Sequence, residues 1–384
     1  MIYADYNGSA PLCDDVREYL VKRINEGPYS NQNAIHSLGK KMMFGMEKCR
    51  RTLAKHLNCQ THQIIFNSGA SEGIAQIFFS LLDERPSEKN IIITSGIEHS
   101  AVVQCCQRYQ NKGYQIEYIN TLDNGVIDLQ HYQELIKKFS NQIALITSMA
   151  ANNETGVIQP YQEIGKIAQE NKVPFFCDTT QFIGKTEFNF DQSNIDYAVC
   201  SSHKIGALIG AGFIIAKDPT RLKPLILGGG QEKGLRGGTQ NYIGIETMAV
   251  AMESFYNNKE KLNQVNESRL AFEQKIKEKF PEVAIMGDGA PRLATTTMIA
   301  YPGIHGQAVQ IELESQNIFV TTSSACSDNK PETSRVLKAM KINDDIGRGV
   351  IRISFCLNAN QELYDKIEDA LTNAYNKLKK IQSY

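Results

Sequence analysis

Short runs of apolar and β-branched residues recur along the middle of the chain: Ile64 to Phe66, Ile91 to Thr94, Ala144 to Thr147, Phe175 to Cys177, Tyr197 to Cys200 and Gly212 to Ala216. Each run is apolar throughout rather than alternating, the pattern of strands covered by helices on both faces. Helix-favouring stretches separate them, so the order from about residue 60 to 216 predicts an α/β unit with a mostly parallel sheet. Ligands of such sheets bind beyond the strand ends. After the glycine-rich stretch Leu227 to Gly238, a charged segment without proline predicts a long helix from about Tyr242 to Phe280, bridging into a second unit. Strand-like Thr297 to Tyr301 and Val350 to Phe355 follow, and an amphipathic helix from about Gln361 to Ile381 ends the pattern.

The 384 residues suffice for one large core and one smaller one. Lys and Arg total 41 against 42 Asp and Glu, scattered without a basic block, which argues against nucleic acid or an anionic membrane as a direct partner. The first residues lack the basic start and apolar core of a signal peptide, and no apolar run approaches the roughly 18 residues of a membrane span, so a cytoplasmic protein is expected. Nine cysteines without a repeated Cys-x-x-Cys spacing suggest neither a disulfide framework nor a zinc ribbon. His56, Cys59 and His62 make an incomplete metal shell and read as a helix end and loop, so no metal is expected.

Candidate chemistry sits where the apolar runs stop. Lys204 closes Ser201-Ser202-His203-Lys204, directly after the run ending at Cys200. A lysine at the end of a buried strand is partly desolvated, which favours the neutral amine that forms a Schiff base. Asp178 ends the run Val173 to Cys177. Such a strand-end pair suits pyridoxal 5'-phosphate: the carboxylate keeps the pyridine nitrogen protonated while the lysine carries the aldehyde. Cys326 lies in Thr321 to Ser334, a polar, proline-containing stretch expected to be mobile and exposed, which suits a nucleophile rather than a packing thiol. Cys105, Cys106, Cys177, Cys200 and Cys356 read as packing residues.

Together these segments resemble the cysteine desulfurases, in the class V group of pyridoxal phosphate enzymes. The resemblance is carried in family order by Asn67-Ser68-Gly69-Ala70-Ser71-Glu72, Glu98-His99, Asn152-Asn153-Glu154-Thr155-Gly156, Asp178-Thr179-Thr180-Gln181, Ser201-Ser202-His203-Lys204, Arg236-Gly237-Gly238-Thr239, Ser323-Ser324-Ala325-Cys326 and Ile351-Arg352-Ile353-Ser354. It implies an aspartate aminotransferase-like, fold type I architecture: a large domain with a mostly parallel seven-stranded sheet over 14–256, and a smaller α+β domain from 1–13 and 257–384 carrying the loop 321–334.

The resemblance also implies roles. The backbone at Ala70, with Ser71, Ser201 and His203, would hold the cofactor phosphate, the first two at a helix N-terminus. Thr239 would reach the same phosphate from the neighbouring subunit of a homodimer. His99 would stack on the pyridine ring and move protons. Gln181 and Asn153 would hydrogen-bond the cofactor's phenolic oxygen and nearby substrate atoms. Arg352 offers a planar fork for a substrate carboxylate. The implied reaction turns L-cysteine into L-alanine and leaves a persulfide on Cys326 for a sulfur-acceptor protein, with iron-sulfur assembly, tRNA thiolation and DNA phosphorothioation as downstream roles. The loop length resembles the group I enzymes. A selenocysteine lyase would use the same scaffold, and another class V aminotransferase or lyase would have no need of Cys326. Three segments depart from the family pattern: Asn7-Gly8-Ser9-Ala10-Pro11 replaces Ala-Thr-Thr-Pro and Gln32 replaces a proline after Asn31, both expected to border the substrate pocket, and Ile205-Gly206-Ala207 replaces the Tyr-Gly-Pro type turn after the lysine.

Overall fold

A computed structural model describes residues 1–83, 88–322 and 332–382. Cys326, with Ser323, Ser324 and Ala325, lies outside the described residues. The chain opens on β1 (Ile2–Tyr3), α1 (Asp14–Glu26) and α2 (Ser37–Leu57). It continues through β2 (Ile64–Asn67), α3 (Ala70–Leu82), β3 (Ile91–Ser95), α4 (Ser100–Gln110), β4 (Gln115–Ile119), α5 (Leu129–Phe139), β5 (Ile143–Met149) and α6 (Tyr161–Glu170). Strands β6 (Phe175–Asp178), β7 (Tyr197–Ser201) and β8 (Gly212–Ala216) follow, then α7 (Tyr242–Asn257) and α8 (Lys261–Lys279). The last part holds β9 (Ala284–Ile285), β10 (Thr296–Ala300), α9 (Gly306–Glu314), β11 (Ile318–Phe319), α10 (Arg335–Ala339), α11 (Asp344–Gly347), β12 (Val350–Ser354) and α12 (Gln361–Gln382).

The seven strands β2 to β8 form one sheet in the order β2-β8-β7-β6-β5-β3-β4. Its pairings are parallel except where β8 lies antiparallel to β7 and β2. Side chains alternate between faces, and both faces are covered. Ile64, Phe66, Ile91, Ile93, Ala198 and Cys200 enter the core beneath α2, α5, α6 and α7. Their neighbours Ile65, Ile92, Tyr197 and Val199 enter a separate core with Ile74 and Phe78 of α3 and Val102 of α4. That double burial is why the strands read as unbroken apolar runs. Each such side chain stabilises the fold by about 1.5–3 kcal/mol when fully buried.

Two elements differ from expectation. Strand β4 is an edge strand whose exposed Gln115 and half-buried Glu117 make it too polar to stand out as an apolar run. The helix expected from Tyr242 to Phe280 is two helices, interrupted at residues 258–260. There Asn258 Nδ2 donates to the Ser254 carbonyl at 2.9 Å, a local bond that competes with helix continuation.

A second core gathers Ala4, Phe272 of α8, Ile299, Ile351, Ile353 and Tyr375 of α12 around the antiparallel sheet β12-β10-β9. The N-terminus belongs to this side of the molecule: β1 runs parallel to β11, and Asp5 bridges to Ser354. The following residues, Asn7 and Gly8, enter the cleft between the two sheets.

Candidate active site

Strands β2, β3, β5, β6 and β7 run in one direction, so their C-terminal ends open onto one cleft of about 430 Å³. That is within the roughly 300–1,000 Å³ of sites that take a cofactor or small ligand. The structure brings Ala70, Ser71, His99, Asn153, Asp178, Gln181, Ser201, His203, Lys204 and Arg352 together on its wall. Thr239 is not among them. It is exposed and lines a neighbouring recess that shares Ser68 and Gly210 with the cleft.

At one end of the cleft lies the N-terminus of α3, whose N-cap Gly69 has no side chain to cap the first turn. The first N–H groups of a helix have no intrahelical acceptor. Gly69 has φ +149, and a Cβ on Gly212 would stand 2.6 Å from the Gly69 Cα, so this close approach requires glycine. Glu72 caps from behind: it accepts from Ser68 N at 2.9 Å and Ser68 Oγ at 2.5 Å, and pairs with Arg236 at 2.8 Å. Burial would raise the Glu72 carboxyl, but these hydrogen bonds outweigh it and hold the group below the usual range. His203 contacts Ser9 Oγ through Nδ1 at 3.1 Å. Burial, with Lys204 and Lys185 nearby, pulls its pKa down to about 4, so the ring is neutral at pH 7.

His99 is the N-cap of α4, its Nδ1 accepting from Ala101 N at 3.2 Å. An accepting Nδ1 belongs to a neutral ring, and burial lowers the His99 pKa despite the opposing field of Asp178. Asp178 is buried at the end of β6, with Oδ1 accepting from Thr180 N at 3.0 Å. Behind His99, Glu98 is fully buried, with Oε1 accepting from Ser95 Oγ at 2.5 Å and Met149 N at 3.1 Å. Burial, reinforced by Asp178, pushes its carboxyl up to about 7.

Lys204 ends a 3₁₀ turn after β7, and its Nζ donates to the carbonyls of Asn7 at 2.9 Å and Gly8 at 2.6 Å. The altered turn after it is still built on glycine: Gly206 has φ +81, and Ser202 Oγ donates to the Ala211 carbonyl at 2.7 Å. Arg352 projects from β12, donating to the Asn153 carbonyl at 2.9 Å and to Asp5 Oδ1 at 2.6 Å. It is 1% exposed, yet it reaches the cleft wall.

The whole chain was then compared with known proteins. The model of the class V aminotransferases matches residues 2–367. A cysteine desulfurase of Enterobacter agglomerans is 34% identical over 92% of this chain and 87% of its own. The chain belongs to the class V aminotransferase family, among its cysteine desulfurases. A cysteine desulfurase of Nostoc sp. is 31% identical over 100% of this chain and 95% of its own. Of solved structures, a NifS-like protein superposes with TM-score 0.89 at 31% identity, covering 98% of this chain and 100% of that one. SspA in complex with cysteine superposes with TM-score 0.80 at 30% identity, covering 92% and 99%.

Cysteine desulfurases are pyridoxal phosphate enzymes of fold type I, and this cleft fits that cofactor. It offers an uncapped helix terminus with Ser201 and His203 for a phosphate, and Asp178 and Lys204 on the same wall. Sequence reasoning missed Lys185, and it placed Asn7 only within a segment expected to border the substrate pocket and gave Asp5 no role. Asn7 and Gly8 line the cleft, and their carbonyls each accept a hydrogen bond from Lys204. Lys185 is 7% exposed beneath Gln181, four residues along the chain from it. A lysine closing the otherwise uncharged stretch Gln181-Phe182-Ile183-Gly184 was its only signal.

His56, Cys59 and His62 hold no metal arrangement: among the described residues no group of three or more His, Cys, Asp or Glu is gathered for one, and His56 stacks on Tyr256. Cys106, Cys177 and Cys200 are buried, while Cys105 and Cys356 are half-buried. Burial raises the thiols of Cys106 and Cys200 to about 12 and that of Cys105 to about 11. Among the described residues no helix is long and apolar enough to cross a membrane.

Proposed function

We propose that this chain removes sulfur from L-cysteine at this cleft and places it on its own Cys326, with Lys204, His99 and Cys326 as the catalytic residues. The observation that carries the reading is the convergence of Lys204, Asp178, His99 and Arg352, from four separate elements, on one cleft. Bound pyridoxal phosphate supplies an electron sink for the substrate carbon. Ala70, Ser71, Ser201 and His203 hold its phosphate, and Asp178, Gln181 and Asn153 orient its ring. Lys204 would hold the cofactor and would move the proton at the substrate α-carbon. The neutral His99 ring stacks on the cofactor and passes protons. Arg352, released in part from Asp5, binds the substrate carboxylate.

The Cys326 thiolate attacks the substrate sulfur. The carbon–sulfur bond breaks with its electron pair left on carbon, which takes up a proton, and a sulfur–sulfur bond forms on Cys326. The products are L-alanine and a persulfide, with no external oxidant or reductant needed. The raised thiols of Cys106, Cys177 and Cys200 support assigning the nucleophile elsewhere.

The same reading includes a cytoplasmic homodimer that hands the sulfur to an acceptor protein. Exposed Val21, Ile24, Leu38, Phe44, Ile209 and Leu227 support a second copy covering α1, α2 and the segment before Thr239. The position of Thr239 outside the cleft of its own chain fits a role in the partner's cleft. The eight described cysteines are all free, which suits a reducing compartment. The division into residues 14–256 and residues 1–13 with 257–384 is supported by the separate core around β10 and β12.

Intact mass spectrometry after mixing with L-cysteine, without reductant, tests the reading on wild type, Lys204→Ala and Cys326→Ala. One added sulfur on wild type alone, with alanine released, is expected. A wild type that carries cofactor yet gains no sulfur would overturn it.

A further inference from the structure

Lys185 is a second lysine, buried beneath Gln181 of the cleft wall, and neither the reaction nor the phosphate site above gives it a task. Its Nζ donates to Asn7 Oδ1 at 2.6 Å and to Gln181 Oε1 at 2.5 Å. Among the described residues no carboxylate is hydrogen-bonded to it. Both acceptors are amide oxygens, and an amide has a direction: oxygen accepts and nitrogen donates. A donor held against both oxygens turns both NH₂ groups the other way. Gln181 Nε2 is thereby directed to the Asn7 carbonyl at 2.9 Å. Asn7 Nδ2 is directed to the Asn153 carbonyl at 3.2 Å and Thr296 Oγ1 at 3.0 Å. The Asn7 carbonyl that receives Gln181 is the one Lys204 Nζ also uses.

We propose that Lys185 is a positioning residue, locking the Gln181 and Asn7 amides into the orientation that sets the hydrogen-bonding environment of Lys204. The proposal rests on the reading of Lys204 as the cofactor lysine. The alternative amide orientations would point Gln181 Oε1 at the Asn7 carbonyl oxygen, leaving two buried acceptors face to face. Burial, with Lys204 and Arg352 close by and Asp5 opposing them, drives the Lys185 amine well below its ordinary value. His203 feels Lys185 from the cleft side. On the far side, a cavity of about 300 Å³ shared by both lysines brings in Tyr6, Asp14, Asp15, Arg17 and Lys261.

The test follows the visible absorption of pyridoxal phosphate joined to Lys204 against pH, without substrate, in wild type, Lys185→Met, Lys185→Arg and Lys204→Ala. Lys185→Met keeps the volume and removes both donors. The Gln181 and Asn7 amides each lose one fixing donor and a polarising neighbour is lost, so protonation at the Lys204 nitrogen becomes easier and the midpoint rises by about half a pH unit or more. Lys185→Arg keeps donors and carries a permanent positive charge, so its midpoint stays at or below wild type. An unchanged midpoint in Lys185→Met, or equal rises in both variants, overturns the proposal. Should Lys185→Met fail to fold, Lys185→Arg decides alone, a raised midpoint there overturning it. Lys204→Ala separates the two readings: persistence of the same titrating band in that variant would remove Lys204 from its role and leave Lys185 unimplicated.

Discussion

Ser334 Oγ donates to the buried Glu154 carboxylate at 2.6 Å. The same oxygen accepts from Leu337 N at 3.2 Å and so caps α10. Ser334 follows the segment that carries Cys326, and Glu154 follows Asn153 on the cleft wall. This one hydroxyl therefore ties the base of the cysteine segment to the substrate site. Arg335 adds a second tie, donating to the Glu98 carbonyl beside His99.

Ser334→Ala should lose the cap and one hydrogen bond to Glu154, costing about 1–2 kcal/mol of stability in denaturant melts. Persulfide formation, followed by rapid quench and mass spectrometry, should slow by about tenfold. Cofactor content should stay at the wild-type level, because Ser334 does not line the cofactor cleft. Loss of cofactor in this variant would contradict the assignment.

Arg352→Gln removes the fork aimed at the substrate carboxylate. A hydrogen bond to a charged group is worth about 1.5–3 kcal/mol, so kcat/KM for L-cysteine should fall by about ten- to a hundredfold, mostly through KM. Asp5→Asn should act oppositely on binding, since it frees the guanidinium from its 2.6 Å ion pair. Steady-state alanine release at several cysteine concentrations separates the two, and a lower kcat at unchanged KM in Arg352→Gln would rule out the carboxylate role.

Glu98 gives stability a pH dependence of unusual sign. The folded protein keeps this proton up to about pH 7, whereas a carboxyl at its ordinary value of 4.5 has released it. Between those values the folded state binds more protons, so the contribution of Glu98 to stability falls as pH rises through this window. The loss is complete above about pH 7 and amounts to at most about 3 kcal/mol. Glu98→Gln keeps a neutral acceptor for Ser95 and Met149, so its stability relative to wild type should grow from pH 5 to pH 8. Paired urea melts at the two pH values measure this; an equal difference at both would show that Glu98 is ionised throughout.

Arg236→Ala breaks the pair with Glu72, whose two side chains are 16% and 10% exposed. The cost should be about 1–3 kcal/mol. Because Arg236 lies just before Thr239, the same variant should weaken pyridoxal phosphate retention on dialysis. Full retention at wild-type rates would show that the Arg236 to Thr239 segment does not serve the phosphate.

The parts legible in sequence were those where one residue's environment follows from its neighbours. Lys204 and Asp178 could be placed because each ends an apolar run, and Arg352 because Ile351 and Ile353 mark a strand. Strand β4 was hidden because an edge strand with one solvated face lacks the apolar run that betrays a doubly buried one. The break at residues 258–260 rests on a single asparagine side chain competing for a backbone carbonyl, which composition does not signal. Lys185 and Asn7 were hidden for another reason. Their roles depend on partners 178 residues apart along the chain, brought together only when the N-terminal segment crosses into the cleft.

That crossing also sets an order of assembly. The carbonyls of Asn7 and Gly8 that receive Lys204 are held by β1 pairing with Ile318 and Phe319 and by Asn7 N bonding to Ser354 Oγ. Asn7 and Ser354 lie 347 residues apart, so the segment around Asn7 must wait for partners made far later before it can settle. The large sheet, complete by residue 216, can form while Lys204 still lacks its resting contacts. Ribosome-bound chains stalled before Ile318 should therefore resist proteolysis across the large sheet yet remain open to cleavage near Asn7, with protection there arriving only once Ser354 has emerged.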